Sequence, residues 1–251
     1  MENRENDELL RRAEDLAERC ERTASLTQTA FLTPAEQYAL EKWARGRDVK
    51  MLFFGGHPDC ERKAAFFLPF YMEEDGFDGA EYVCAMQIKA FFGEPGHRDY
   101  MGALLGLGIV RDRLGDIWVK GDTATVFCAK SVERHLLDSL DKVGRYGVKT
   151  KKLSLSDVEA PERKTKHVTF SVKSARFDAV VAGMYGLSRT AAAERISAGD
   201  ASLNYSQCFK LDAAVSEGDI ISLRGFGKGT LGAEGGQSRK GRTFLSAEIY
   251  K

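Results

Sequence analysis

The residues best suited to chemistry are guanidinium groups placed at helix edges. In "RFDAVVAGMYGLSRTAAAERISAGDASLN", residues 176–204, Arg176 precedes one helical run and Arg189 opens the next. Ser188 is a natural N-cap, and a basic residue in the turn it caps opposes the helix dipole. A local conflict of that kind is expected where a side chain serves a ligand. Helix N-terminal N–H groups and guanidinium groups together suit phosphate oxygens. Arg195, six residues on, is expected to share part of that edge. After the stop at Gly199, "VSEGDIISLRGFG" reads as a turn into an apolar strand. Arg224 and Lys228 leave that strand near glycines that let a backbone approach closely. Taken singly, each arginine also fits a solvated surface charge.

A second group lies in "HRDY". His97, Arg98 and Tyr100 are candidates to stack on bases or grip a backbone. The competing reading pairs Arg98 with Asp99 and packs Tyr100 with Met101, Leu104 and Leu105 in a core.

Other chemistry finds little support. The four histidines, His57, His97, His135 and His167, have no Ser or Cys partner in a recognisable catalytic arrangement. "GFGKGT" is not a phosphate-binding P-loop, because Ser222 stands where its first glycine belongs. His57 and Cys60 in "HPDC" have no second ligand pair for a metal. No catalytic residue, metal or cofactor is expected. The five cysteines are scattered and form no CxxC pair, as suits reduced thiols. The N-terminus is too charged for a signal peptide. No run of about 18 apolar residues could span a membrane. These features suit a cytoplasmic protein. The 37 basic and 37 acidic residues balance, so any phosphate affinity must come from a local patch.

The elements that must hold these groups follow from periodicity. "DELLRRAEDLAERC" places Leu9, Leu10, Ala13, Leu16, Ala17 and Cys20 at helical spacing. "TPAEQYALEKWARG" carries Thr33 as N-cap, Pro34 at the first position and Glu36 to close a capping box. "VKMLFFGG" reads as a strand and "HPDCERKAAFFLP" as a turn into a helix. The order then becomes β-α-β-β-α-β: strand "EYVCAMQIKA", helix "HRDYMGALLGLGI", hairpin "GDIWVKGDTATVFCA" turning at Gly121-Asp122, helix "SVERHLLDSLDKVG", strand "RYGVKTKKLSLSDV". That order belongs to a ferredoxin-like or RNA-recognition-like sheet with helices on one face. "EAPERKTK" reads as a linker. The expected class is α+β: a helical and α/β segment over 1–76, an RNA-recognition-like domain over 77–158, a linker over 159–167, a small αβ module over 168–230, and a basic glycine-rich tail over 231–251.

Several of these residues resemble known sequences. Arg176-Phe177-Asp178, Leu187-Ser188-Arg189, Ile196 to Gly199, Asn204 and Glu217-Gly218-Asp219-Ile220 look like the RNA-binding domain first known from ribosomal protein S-four. "HRDYMGALLGLGIVRDRLGDIWV", "KVGRYGV" and "RGFGK" resemble the bacterial YlmH family, and "FFGGHPDCERKAAFFLP" resembles it more loosely. The resemblance implies a non-enzymatic, cytoplasmic RNA-binding protein of the large ribosomal subunit. It further implies a role with stalled peptidyl-tRNA in ribosome-associated quality control, with no membrane or DNA partner. A monomer is the default expectation. The RNA-contact set it supports is Arg176, Ser188, Arg189, Arg195, Asn204, Arg224 and Lys228, joined by His97, Arg98 and Tyr100. The alternative is an RNA-modifying enzyme of pseudouridine-synthase or methyltransferase type, but 1–160 holds neither a G-x-G-x-x-G after a strand nor a convincing synthase aspartate segment.

The chain departs from the S-four-like pattern at Asp200 and Ala193, where relatives are commonly basic. Fewer phosphate contacts mean weaker binding and a shallower salt dependence. Arg239, Lys240 and Arg242 of the tail, or Lys149, Lys151 and Lys152, are the residues available to offset the loss.

Overall fold

The computed structural model describes residues 2–162, 165–237 and 241–250. The chain divides into two compact units, one ending at Pro161 and one starting at Glu162. No helix among the described residues is long and apolar enough to cross a membrane.

The first unit opens with α1 (Glu2–Thr23), β1 (Thr27–Leu32), α2 (Pro34–Ala44), β2 (Met51–Phe54) and β3 (Lys63–Phe67). The apolar stripe of α1 does what its spacing predicts. Ala13, Ala17 and Cys20 are buried against Leu40, Trp43 and Phe67, with Leu9, Leu10 and Leu16 at the margin. The capping box of α2 also forms. Thr33 Oγ1 accepts from Glu36 N–H, and Glu36 Oε2 accepts from Thr33 N–H at 2.6 Å.

One expectation fails in this part and one strand was not foreseen. "KAAFF" is not helical: it is β3, the central strand of an antiparallel sheet ordered β1-β3-β2. Ala65 and Phe67 face the helices, while Ala64 and Phe66 face Phe31, Val83 and Ala129. A short strand buried on both faces has no alternating pattern, so it cannot be told from a helix by periodicity. β1 carried no expectation at all.

The β-α-β-β-α-β order is borne out: β4 (Val83–Ala90), α3 (His97–Gly106), β5 (Leu114–Lys120), β6 (Thr123–Ala129), α4 (Glu133–Ser139), β7 (Lys142–Val143) and β8 (Tyr146–Leu153). The short β7 is an addition at the edge, and it ends the expected helix early. The antiparallel sheet is ordered β5-β6-β4-β8-β7. Cys84, Met86, Ile88, Val126 and Cys128 face α3 and α4 through Tyr100, Leu104, Leu136 and Leu140.

The opposite face is partly covered. Ala85 and Phe127 are buried with Cys60 and Val158, and Trp118, Leu153 and Leu155 pack around them. Arg62 ties the two sheets together. Its Nη2 donates to Phe31 O at 2.6 Å and its Nε to Leu114 O at 3.2 Å. Asp116 accepts from the Glu61 and Arg62 backbone N–H groups at 2.6 and 3.0 Å. Burial lowers the Arg62 pKa from its ordinary value, with Glu36, Asp112 and Asp116 opposing.

The second unit contains β9 (Thr165–Val172), α5 (Phe177–Tyr185), α6 (Arg189–Ser197), β10 (Ala201–Leu203), β11 (Ser206–Gln207), β12 (Ile220–Leu223), β13 (Gly227–Gln237) and β14 (Thr243–Tyr250). Its sheet runs β11-β10-β12-β13-β14-β9. The helices bury Phe177, Val180, Val181, Met184 and Ile196 against Ile221, Leu231, Leu245 and Ala247.

The expected tail over 231–251 is therefore corrected. β14 lies between β13 and β9 and pairs along its whole length with β9. The last residues of the expected linker, Thr165 to His167, are already strand. The glycines that suggested a tail permit close contact instead. A Cβ at Gly229 would come within 2.4 Å of both Glu248 O and Met184 Cε. Arg239 and Lys240 lie outside the described residues.

Candidate nucleic-acid interface

The second unit gathers four of the expected arginines into two pairs, each closed on one carboxylate. Arg176 is the N-cap of α5 and Arg189 the first residue of α6. Asp178, in the first turn of α5, lies between them. Its Oδ2 accepts from Arg189 Nη2 at 2.5 Å, and its Oδ1 is 3.8 Å from Arg176 Nε. Asp178 is 7% exposed, whereas about half of each arginine side chain remains in solvent. One buried anion thus hydrogen-bonds Arg189 and attracts Arg176 across 3.8 Å without a hydrogen bond, and the cluster keeps a net positive charge. Each guanidinium has five N–H donors, so neither is used up by this contact. Burying a carboxylate is costly unless it is paired, which explains why Asp178 holds the arginines rather than facing water.

Ser188 caps α6 as expected, its Oγ accepting from Ala191 N–H at 3.1 Å. The first-turn N–H groups of α6 therefore start beside Arg189 and carry the positive end of the helix dipole.

Arg195 does not share that edge. Six residues further along α6 is about 9 Å of rise and more than a turn and a half of rotation. It pairs with Asp200 instead, Nη1 to Oδ2 at 3.1 Å, and its guanidinium lies 5.7 Å over the Phe226 ring. Asp200 Oδ1 is also 3.7 Å from Arg224 Nη1. Phe226 in turn meets Tyr185 edge-on at 5.8 Å. The acid that breaks the basic pattern is thus the counter-charge of Arg195 and Arg224.

Asn204 is occupied internally. It adopts a left-handed backbone (φ 48°), donates from Nδ2 to Asp219 at 2.7 Å and accepts from Ile220 N–H at 2.9 Å. This makes it a turn-holding residue. Lys228 is half-buried on β13, opposite Ser222 and Tyr250. Arg242 donates to Ser171 O.

In the first unit the "HRDY" group is split. His97 and Arg98 are exposed at the start of α3. Tyr100 is fully buried, with its hydroxyl 3.4 Å from Asp122 O. It cannot stack on a base, and that expectation is corrected. The helix turns its fourth residue onto the sheet, and the same core takes Leu104. Asp99 accepts from Gly96 N–H at 2.8 Å, closing the start of α3.

Of the lysines expected to offset Asp200, Lys152 is tied to Glu133 at 3.0 Å, beside Lys130 at 2.8 Å. Burial raises the Glu133 pKa, but these two ammonium groups win and hold it below the ordinary carboxylate value. Lys149 and Lys151 are exposed on the sheet face away from the helices, in register with Lys89 and Gln87.

The sequence reading missed Asp178 and Asp200 as orienting groups. Their signal was an acid within two residues of Arg176 and another just past the helix that carries Arg195, but neither spacing says which guanidinium is reached. Among the described residues there is no cluster of three or more acids, cysteines or histidines placed to hold a metal ion.

Two family models match this chain. One, "YlmH, N-terminal", covers residues 5–67, and the other, "Putative RNA-binding domain in YlmH", covers residues 81–157. A protein of Bacillus subtilis (strain 168), "Ribosome-associated protein quality control protein P2", is 29% identical over 223 residues, spanning 89% of this chain and 87% of that one. The solved structure "Cell division protein ylmH from Streptococcus pneumoniae" superposes with a TM-score of 0.53 at 20% identity, over 61% of this chain and 93% of its own. That likeness concerns the mixed α/β fold.

Proposed function

The chain belongs to the YlmH family, and from that premise we propose that it is a non-enzymatic RNA-binding protein of the large ribosomal subunit. In this reading it is a cytoplasmic factor of ribosome-associated quality control that acts on subunits holding stalled peptidyl-tRNA. The name of the Bacillus subtilis relative supports the process. The observation that carries the RNA role is the pair Arg176 and Arg189 oriented by one buried carboxylate.

The mechanism is positioning. Two half-exposed guanidinium groups at adjoining helix starts fit two phosphate oxygens of a folded RNA backbone. Arg195 and Arg224, held by Asp200, add cationic surface in the same module. The first unit supplies a second contact through His97, Arg98, Lys149 and Lys151. Linking the two units raises the effective concentration of the second contact once the first is made.

The test is co-sedimentation of purified Arg176→Ala/Arg189→Ala protein with large ribosomal subunits across a salt titration. The expected result is weaker association and a shallower salt slope with the fold intact. Full association at every salt concentration would remove this surface from the account.

A further inference from the structure

The middle sheet does not offer aromatic rings where RNA-recognition sheets usually present them. In such domains, rings on the central strands stack bases. Here the central strands β4 and β6 carry Ala85, Gln87, Lys89, Thr123, Thr125 and Phe127 on that face, and Phe127 is fully buried. Exposed rings occur instead at the end of β4. Phe91 is 68% exposed and Phe92 62%. Phe92 meets the Tyr146 ring edge-on at 5.7 Å, and the Arg145 guanidinium lies 5.2 Å over the same ring.

These rings are held in place. Phe91 N–H donates to Gly147 O at 2.9 Å, so the segment is pinned to β8 as it leaves the sheet. Tyr146 lies against Gly93 (φ 72°), where a Cβ would come within 2.4 Å of the ring. A Cβ at Gly147 would meet Phe91 at 3.0 Å. Adjacent phenylalanines left mostly in water work against folding, since each would gain by burial. A backbone bonded to β8 that nevertheless displays them points to a ligand.

We propose that Phe91, Phe92, Tyr146 and Arg145 form a stacking site for unpaired bases of RNA. The charge around the rings favours RNA over an apolar protein segment. Arg145 and Lys142 are exposed on the neighbouring turn and strand, and Asp99 at the start of α3 lies near Gly144 of that turn, on the helix that carries exposed His97 and Arg98. Of the acids nearby, Asp99 is engaged with Gly96 N–H, and Glu94 is exposed. Flat rings flanked by guanidinium groups suit the faces of unstacked bases and the phosphates that join them. The site rests on the RNA-binding reading above and adds what kind of RNA the first unit takes: single-stranded or looped, not paired.

The test uses the full chain, a fluorescein-labelled oligouridine and a fully paired RNA duplex, read by fluorescence anisotropy. Phe91→Ala/Phe92→Ala should lower oligouridine affinity by about ten-fold or more, in the range of losing one or two stacked bases, and leave duplex affinity unchanged. A Phe92→Trp variant should retain affinity and show indole quenching on adding oligouridine. Circular dichroism melts confirm that each variant is folded. Unchanged oligouridine affinity in the double variant, with no quenching in Phe92→Trp, overturns the site while the Arg176 and Arg189 surface stands or falls on its own test. Reduced ribosome co-sedimentation without any change in oligouridine binding also overturns it, in favour of a protein contact. If the unaltered chain does not bind oligouridine, the stacking site is overturned, and co-sedimentation with large subunits decides the ribosomal reading separately.

Discussion

Asp178 closes on Arg189 at 2.5 Å across the start of two helices, and it does so from a position that is 7% exposed. The contact converts an arginine that opposes its own helix dipole into a fixed donor group. It also brings that arginine to the same anion as Arg176, 3.8 Å away.

If orientation is the role of this carboxylate, Asp178→Asn should weaken RNA binding although it removes a negative charge from beside the two arginines. The expected loss is about three- to ten-fold, with stability reduced by about 1–2 kcal/mol, below the cost of breaking a wholly buried pair because both arginines are half in solvent. Filter binding at fixed salt together with urea unfolding checks both. Tighter binding would show that charge count alone sets affinity.

Asp200 should behave in the opposite sense. It neutralises Arg195 and Arg224 at a more exposed position. Asp200→Ala should steepen the salt dependence of RNA binding by up to about one counterion and cost about 0.5–1 kcal/mol of stability. A salt titration with an unchanged slope would mean that RNA passes this side of the module without touching it.

Much of this arrangement could be read from the residues, and the rest could not for definite reasons. The α1 stripe, the Thr33–Glu36 box, the β-α-β-β-α-β order and the Ser188 cap are local patterns, so they survive folding intact. β3 was misread because Ala64 to Phe67 are buried on both faces, which removes the alternation that marks a strand. β13 looked like a tail because its glycines serve close backbone contact, which only the partner strands reveal. Tyr100 was placed in the interface because residue type says nothing of which way a helix is rolled. The pairing of Asp178 and Asp200 with particular arginines depends on where two helices and a turn meet.

The joint between the two sheets of the first unit gives a stability prediction. Asp116 accepts two backbone N–H groups, and Arg62 donates to carbonyls of both sheets. Asp116→Ala should leave those donors without their acceptor and destabilise the first unit by about 2–3 kcal/mol. A urea midpoint within error of the unaltered protein would show that water replaces the carboxylate at no cost.

The Glu133 site gives a pH prediction. Its carboxyl is held below the ordinary value of 4.5 by Lys130 and Lys152, against the opposing effect of burial. A depressed folded pKa contributes stability above the unfolded value, and that stability is lost as pH falls through the folded one. Acidification below pH 4.5 should therefore lower the melting temperature of the unaltered protein more than that of Glu133→Gln. Equal slopes for the two proteins would mean that the two lysines add nothing to folding.

The central claim is that Arg176 and Arg189, set by Asp178, grip ribosomal RNA. Co-sedimentation of Arg176→Ala/Arg189→Ala with large subunits over a salt series tests it most directly. The account predicts a folded protein whose association falls at every salt concentration, with a slope shallower by about two counterions. A folded double variant that co-sediments as fully as the unaltered chain would contradict it.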